Sequence, residues 1–243
     1  METVIVGKWY NKIRAKVISI IKYQYNEKVR NGIKGFLFHG EPGTGKTTLA
    51  KDIGNFTARL FGGITNPKDY KNYYQILDCS SLAHARYGET EAHIHKVFLD
   101  ASNAKQNGIL FQTLIFDDAD GLFITRDYGD KLEAWYIGQI NVFFHELDNL
   151  DTSEVSVILT TNRLDLMDKA VIDRLYLIEF PEVPIEVLCE KVTNMGNELK
   201  FNSNALKNLL NNIKDNSEKY KTFRDIEKKV FDFYITNIIG NDW

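Results

Sequence analysis

Cysteine is scarce: Cys79 and Cys189 are the two in a chain of 243 residues. They lie far apart and show no metal-ligand spacing, so they argue against a disulfide framework or a cysteine metal centre. They read as buried or incidental thiols in a reducing compartment. Long apolar runs are missing as well. None approaches the roughly 20 residues of a membrane span, and no membrane partner is expected. The N-terminus has no charged start followed by an apolar core and a small-residue cleavage site. Secretion is therefore not expected, and the expected location is intracellular, in the cytoplasm. There is no internal repeat and no low-complexity segment. The net charge is only −3, too small for a global pull toward nucleic acid.

What is present is unevenly placed. Residues 1–34 hold eight basic residues against two acidic ones, a local surplus of six. They fall on a segment, about 11–30, where Ile13, Val17, Ile20 and Ile21 recur at helical spacing. Trp9, Tyr10, Tyr23 and Tyr25 lie nearby. This basic helix could touch nucleic acid or an acidic partner through residues 8–34. Packing on the core with its lysines in solvent is the simpler alternative.

Beyond Asn31-Gly32 the pattern alternates. Short apolar runs at Phe36–His39, Tyr73–Cys79, within "GILFQTLIFDDAD", in "VSVILTTN" and in "LYLIEF" are separated by amphipathic stretches. Those stretches predict helices from about Lys46 to Leu60, over "GETEAHIHKVFLDASNA" and over "KLEAWYIGQINVFFHELDNL". Strands alternating with helices predict a five-stranded parallel sheet covered on both faces. From Ile185 onward the reading is three helices, about 185–199, 203–213 and 222–238. The expected organisation is an α/β domain over 1–182 and a small all-helical domain over 183–243.

Gly40-Glu41-Pro42-Gly43-Thr44-Gly45-Lys46-Thr47 matches G-x-x-x-x-G-K-[ST] between a strand and a helix. Glycines let backbone N–H groups turn inward around phosphates, and the helix N-terminus adds partial positive charge. Lys46 can reach the β- and γ-phosphates, Thr47 offers a hydroxyl to Mg²⁺, and Thr48 follows within the same turn. In Leu114-Ile115-Phe116-Asp117-Asp118 an apolar strand delivers two carboxylates to the carboxyl edge of the sheet. Asp117 suits the Mg²⁺ shell and Asp118 the polarisation of an attacking water. Thr160-Thr161-Asn162-Arg163, at another strand end, could aim Asn162 at the γ-phosphate and that water. His93 and His95 are two apart on a helix and point apart, which argues against a metal pair.

Taken in order, these motifs resemble the AAA+ ATPases, close to the AAA subgroup. "GEPGTGKTTLA" is similar to Walker A and "LIFDDAD" to Walker B. "RYGETEAHIHKVFLDA" resembles the stretch between them. "FFHELDNLDTSEVSVILTTNRLDLMDKAVIDR" resembles the run to the arginine finger, and "TFRDIEKKV" a sensor 2 helix. The resemblance implies ATP and Mg²⁺ as ligands, with adenine near Ile5–Gly7 and Gly7 lining its site. It implies Asn162 as sensor 1, Arg174 as a finger reaching a neighbouring subunit, and Arg224 as sensor 2. A surface ion pair for Arg174 and a plain helix-face role for Arg224 stay open. The implied assembly is a ring, a hexamer of this chain or one with related subunits. Its implied task is to remodel a protein partner.

Three departures stand out. Asp118 replaces the family's usual glutamate and is one methylene shorter, so hydrolysis could be slow. A single arginine, Arg174, stands where the subgroup often has two. The pore step is Arg86-Tyr87-Gly88, with the aromatic displaced by one. Three other readings remain: a DNA-processing clamp-loader or initiator-like ATPase, a nucleotide-gated assembly protein with weak hydrolysis, and a GTPase. The last rests on Asp118-Ala119-Asp120-Gly121 and Asn162-Arg163-Leu164-Asp165. It is weakened by Arg163 standing where a base-reading lysine would.

Overall fold

A computed structural model of the chain describes residues 7–64, 66, 68–69, 73–82, 88–125 and 134–236, the side chains of 134–136 excepted. The elements run α1 (Lys8–Asn26), β1 (Gly35–Gly40), α2 (Lys46–Gly62), β2 (Tyr74–Asp78), α3 (Cys79–Leu82), α4 (Glu89–Asn103) and β3 (Gln112–Asp117). They continue with α5 (Ala134–Asn149), β4 (Val155–Thr161), α6 (Lys169–Ile172), β5 (Tyr176–Phe180), α7 (Ile185–Glu198), α8 (Ser203–Asp215) and α9 (Phe223–Tyr234). Arg86 and Tyr87, the expected pore step, lie outside the described residues, as do Ile5 and Val6.

The chain forms two compact units. The larger spans Lys12–Gly40 and Lys46–Glu179. It is built on a five-stranded sheet of order β2-β3-β4-β1-β5. The registers Leu37↔Leu159, Leu114↔Val157 and Ile76↔Ile115 are all parallel. Burial explains which runs became which strands. β4 is buried at every position and β3 at all but its last, so both read as continuous apolar runs. β5, at the edge, alternates buried Ile178 and Phe180 with exposed Leu177 and Glu179, the period of two expected of a strand covered on one face.

Phe116 of β3 joins Phe98, Phe123 and Phe143 in one aromatic cluster, with Phe123 and Phe143 ring centroids 4.3 Å apart. Burying each such side chain stabilises the unit by about 1.5–3 kcal/mol.

Helix α1 starts and stops earlier than the hydrophobic period suggests. It covers Lys8–Asn26 rather than 11–30. Side chains take over the backbone groups beyond Asn26. Gln24 Oε1 accepts from Ile33 N at 2.6 Å while its Nε2 donates to Ile33 O at 3.2 Å. Thr152 Oγ1 donates to Val29 O at 2.5 Å and accepts from Gly32 N at 3.0 Å. With those groups satisfied, the segment has no need of helical bonds.

The smaller unit gathers Met1–Asn11, Glu41–Gly45 and Phe180–Trp243. Its core is helical, with Leu188 and Val192 of α7, Leu209 and Ile213 of α8, and Ile226 and Val230 of α9 fully buried together. α9 begins on a capping box. Thr222 Oγ1 accepts from Asp225 N at 3.2 Å and Asp225 Oδ2 accepts from Thr222 N at 3.0 Å. Trp9 and Tyr10 are part of this unit and pack edge-on against Phe180.

Candidate functional site

Parallel register brings the strand ends of the larger unit together. Thr160 and Thr161 end β4, Asp117 ends β3 and Gly40 ends β1. Lys46 opens α2, is 5% exposed, and its Nζ donates to Gly40 O at 2.8 Å. Thr47 Oγ1 donates to Asp117 Oδ1 at 2.6 Å, and Thr160 Oγ1 donates to the same oxygen at 2.6 Å. The Thr160 hydroxyl also accepts from the backbone N of Asp118 at 3.2 Å. Thr160 thus fixes both aspartates at once, a role its place in "TTN" did not reveal.

Asp118 turns sharply away from the strand. Its φ of 52° and ψ of 53° place it in the left-handed region, which Asp adopts more readily than most residues. Asn162 Nδ2 donates to Asp118 Oδ1 at 3.3 Å, and Thr161 Oγ1 donates to Asp120 Oδ1 at 2.5 Å. Partial burial, joined by the Asp117, Asp120 and Asp78 carboxylates, raises the Asp118 pKa against the opposing pull of Lys46. A carboxylate so placed is a better base than a solvated one.

Two further groups report on this electrostatic setting. Burial lowers the His39 pKa, with Glu179 opposing and Lys46 assisting, so His39 at the end of β1 favours its neutral form. Cys79 sits buried, and its thiol is pushed well up, by burial first and then by the surrounding aspartates. It is an inert thiol rather than a nucleophile.

In the smaller unit, Tyr10 Oη donates to Thr44 O, Phe223 N donates to Gly43 O at 3.0 Å, and Thr44 Oγ1 donates to Glu41 O at 2.8 Å. Gly43 has φ +75°, and a Cβ there would stand 3.0 Å from Thr222 Cβ and 3.4 Å from Arg224 Cβ. Gly45 has φ +93°, with Tyr10 and Phe223 ring carbons 3.3 and 3.4 Å from where a Cβ would be. Positive φ and this crowding both require glycine. Glu41 and Pro42 are exposed, and Thr48 is half-buried. Arg224 is exposed at the second position of α9, and Gly7 packs against Val187 of α7.

Arg174 makes no contact with Asp117, Asp118 or Asp120 among the described residues. Its Nε donates to Asp148 Oδ1 at 3.3 Å and its guanidinium lies 4.1 Å over the Phe144 ring. Arg163 grips both oxygens of Asp165, at 3.0 and 2.8 Å, which occupies the carboxylate a guanine-reading motif would need free. His95 Nδ1 lies 2.8 Å from Glu146, and among the described residues no cluster fit for a metal forms around it.

A model of the ATPase family associated with various cellular activities (AAA) matches residues 36–182. The chain belongs to this AAA family. Similar curated AAA proteins include the Proteasome-associated ATPase of Saccharomonospora viridis, 33% identical over 142 residues. That match takes in 57% of this chain and 23% of the relative. The Proteasome-associated ATPase of Arthrobacter sp. (strain FB24) is 33% identical over 150 residues, 61% of this chain and 25% of that protein. The chain therefore spans about a quarter of the length of these relatives.

Two solved structures share the AAA fold. A chain of the E. coli MS115-1 HORMA:CdnC:Trip13 complex superposes with a TM-score of 0.70 at 19% identity, covering 96% of this chain and 82% of that one. The FIGL-1 AAA domain in complex with ADP gives 0.69 at 18% identity, covering 99% and 75%. The α/β sheet with flanking helices and a helical C-terminal region is thus the AAA architecture. No helix among the described residues is long and apolar enough to cross a membrane.

Proposed function

We propose that this chain binds and hydrolyses ATP as a module of a ring, and that the ring uses the cycle to remodel a protein partner. The hydrogen-bonded run Thr47–Asp117–Thr160–Asp118–Asn162 carries the reading, because it gathers oxygen donors suited to a metal ion and a carboxylate suited to an attacking water at one edge of the sheet.

The loop Gly40–Thr47 takes the phosphates, with Lys46 against their negative charge. The hard oxygen donors Thr47 and Asp117, 2.6 Å apart, fit Mg²⁺ and would hold it. When bound, the ion offsets phosphate charge. Asp118, of raised pKa, orients a water and accepts its proton, and Asn162 steadies the carboxylate. Arg174, supplied by a neighbouring copy or a related subunit, meets charge developing on the γ-phosphate. Arg224 reads the nucleotide from the helical lid, residues 183–243, and Gly7 lies at the base site. A hexamer is the expected assembly.

The protein partner is favoured by the names of the relatives, which are proteasome-associated ATPases, and by the HORMA:CdnC:Trip13 complex of a fold neighbour. A nucleic-acid partner gains less support. Much of the basic segment is engaged within the chain: Arg14 with Asp52, Lys16 over Tyr176, Lys28 over Tyr25, Arg30 with Asp151 and Lys34 with carbonyl oxygens. The short Asp118 side chain keeps a slow-hydrolysing, nucleotide-gated assembly as the second reading.

The test is steady-state ATP turnover with and without an unfolded polypeptide or DNA. Stimulation by polypeptide, lost in Lys46→Ala, supports the reading. Stimulation by DNA with steep salt dependence overturns the partner class. ATP-dependent assembly with no turnover establishes the second reading instead.

A further inference from the structure

Arg174 follows the short helix α6 on an exposed edge, where a long side chain would ordinarily sample many rotamers. It is instead held on three sides by its own protomer. Nε donates to Asp148 Oδ1 at 3.3 Å, Nη1 donates to Ala170 O at 3.0 Å, and the guanidinium carbon sits 4.1 Å above the Phe144 ring. Phe144 and Asp148 are four residues apart on α5 and so share one face of it. The end of that helix is itself clamped. Lys34 Nζ donates to Asp148 O at 3.0 Å and to Leu150 O at 2.7 Å, a cation on the last carbonyls.

The hold is directional without being tight. Asp148 receives one long bond from Nε, not the paired fork that arginine makes when it is sequestered by a carboxylate. Among the described residues two of the five guanidinium N–H donors are used, which leaves three to meet a phosphate. The Phe144 ring covers one face of the guanidinium, and Nη2 makes no hydrogen bond among the described residues.

We infer that Phe144 and Asp148 are positioning residues that pre-organise Arg174 for delivery to the nucleotide of a neighbouring copy. The inference rests on Arg174 acting in trans, as proposed above. An exposed ion pair adds little to stability, so losing Asp148 should leave the fold intact and cost the chemical step instead. A finger already in its rotamer loses less freedom on docking, which appears as a higher kcat with KM unchanged.

Mixed assemblies test this. Lys46→Ala copies keep the finger but lose the nucleotide site, and Arg174→Ala copies keep the site but lose the finger. Mixing the two should restore turnover that neither has alone. Placing Asp148→Asn or Phe144→Leu in the Lys46→Ala copy should lower the restored kcat about three- to tenfold with KM unchanged. The same change in the Arg174→Ala copy should leave the restored rate as it was, because there is no finger to hold.

Undiminished rescue from the donor overturns the inference, as does an equal loss from either copy. A faster rate would show that Asp148 sequesters the finger, which also overturns it. If the unaltered mixture restores no turnover, the in-trans reading itself falls and the inference falls with it. Thermal unfolding of each variant, run in parallel, separates misfolding from lost positioning.

Discussion

Thr47 Oγ1 donates to Asp117 Oδ1 across 2.6 Å, joining residues 70 positions apart in the chain. The bond ties the first turn of α2 to the end of β3. It turns two separate sequence motifs into one oxygen-lined edge, and Thr160, the second donor to that oxygen, extends it to β4.

Thr160→Val keeps the side-chain shape and removes the hydroxyl between Asp117 and the Asp118 backbone. A buried group left without its partner costs about 1–3 kcal/mol, so the unfolding free energy from urea titration should fall by about that amount and the midpoint with it. Turnover should drop by roughly tenfold or more, because both carboxylates lose their alignment. Normal kinetics in a well-folded variant would remove Thr160 from the site.

The pKa of Asp118 is raised, and the sign of its effect follows. Between the unfolded and folded pKa the native state holds the proton more often, so stability declines as pH rises through that window. Asp118→Asn removes the penalty while retaining a residue that tolerates positive φ. The variant should unfold at a higher temperature than wild type at pH 7, with the gain shrinking toward pH 3.5. Its turnover should be lost. In the wild type, turnover should fall on acidification along a limb lying above the ordinary aspartate range. Equal stabilisation at both pH values would contradict the assignment.

Gly43→Ala places a methyl group 3.0 Å from Thr222 Cβ at φ +75°. Strain of about 1–3 kcal/mol is expected at such a position. The carbonyl that meets Phe223 N would shift, and affinity for a fluorescent ATP analogue should fall at least severalfold. Unchanged affinity would show that the loop absorbs the methyl group elsewhere.

Gln24→Leu removes both side-chain bonds to Ile33. A loss of about 1–3 kcal/mol in stability is expected, with kcat/KM for ATP unchanged. A matching loss of activity would mean that the connector between α1 and β1 also shapes the site.

Much of the sheet was legible in the sequence because burial on two faces leaves a local mark. β3 and β4 are apolar runs whatever surrounds them. The end of α1 was not legible, because Gln24 and Thr152 stop it through partners up to 128 positions away. The placing of Asp117 and Thr47 at one edge could be read from their motifs, since each type is tied to phosphate chemistry at fixed spacing. Thr160 could not, because its role depends on the register between β3 and β4. Nor could the grouping of Glu41–Gly45 with the C-terminal helices, which rests on contacts such as Phe223 N to Gly43 O rather than on any local pattern.

The central claim is that ATP held by one copy is cleaved with the help of Arg174 from another. ATP turnover per subunit, measured over a wide range of protein concentration for wild type and Arg174→Ala, tests it most directly. The rate per subunit should climb with concentration in the wild type. The variant should bind ATP with wild-type affinity yet stay near zero turnover throughout. A rate per subunit independent of concentration, matched by the variant, would contradict the account.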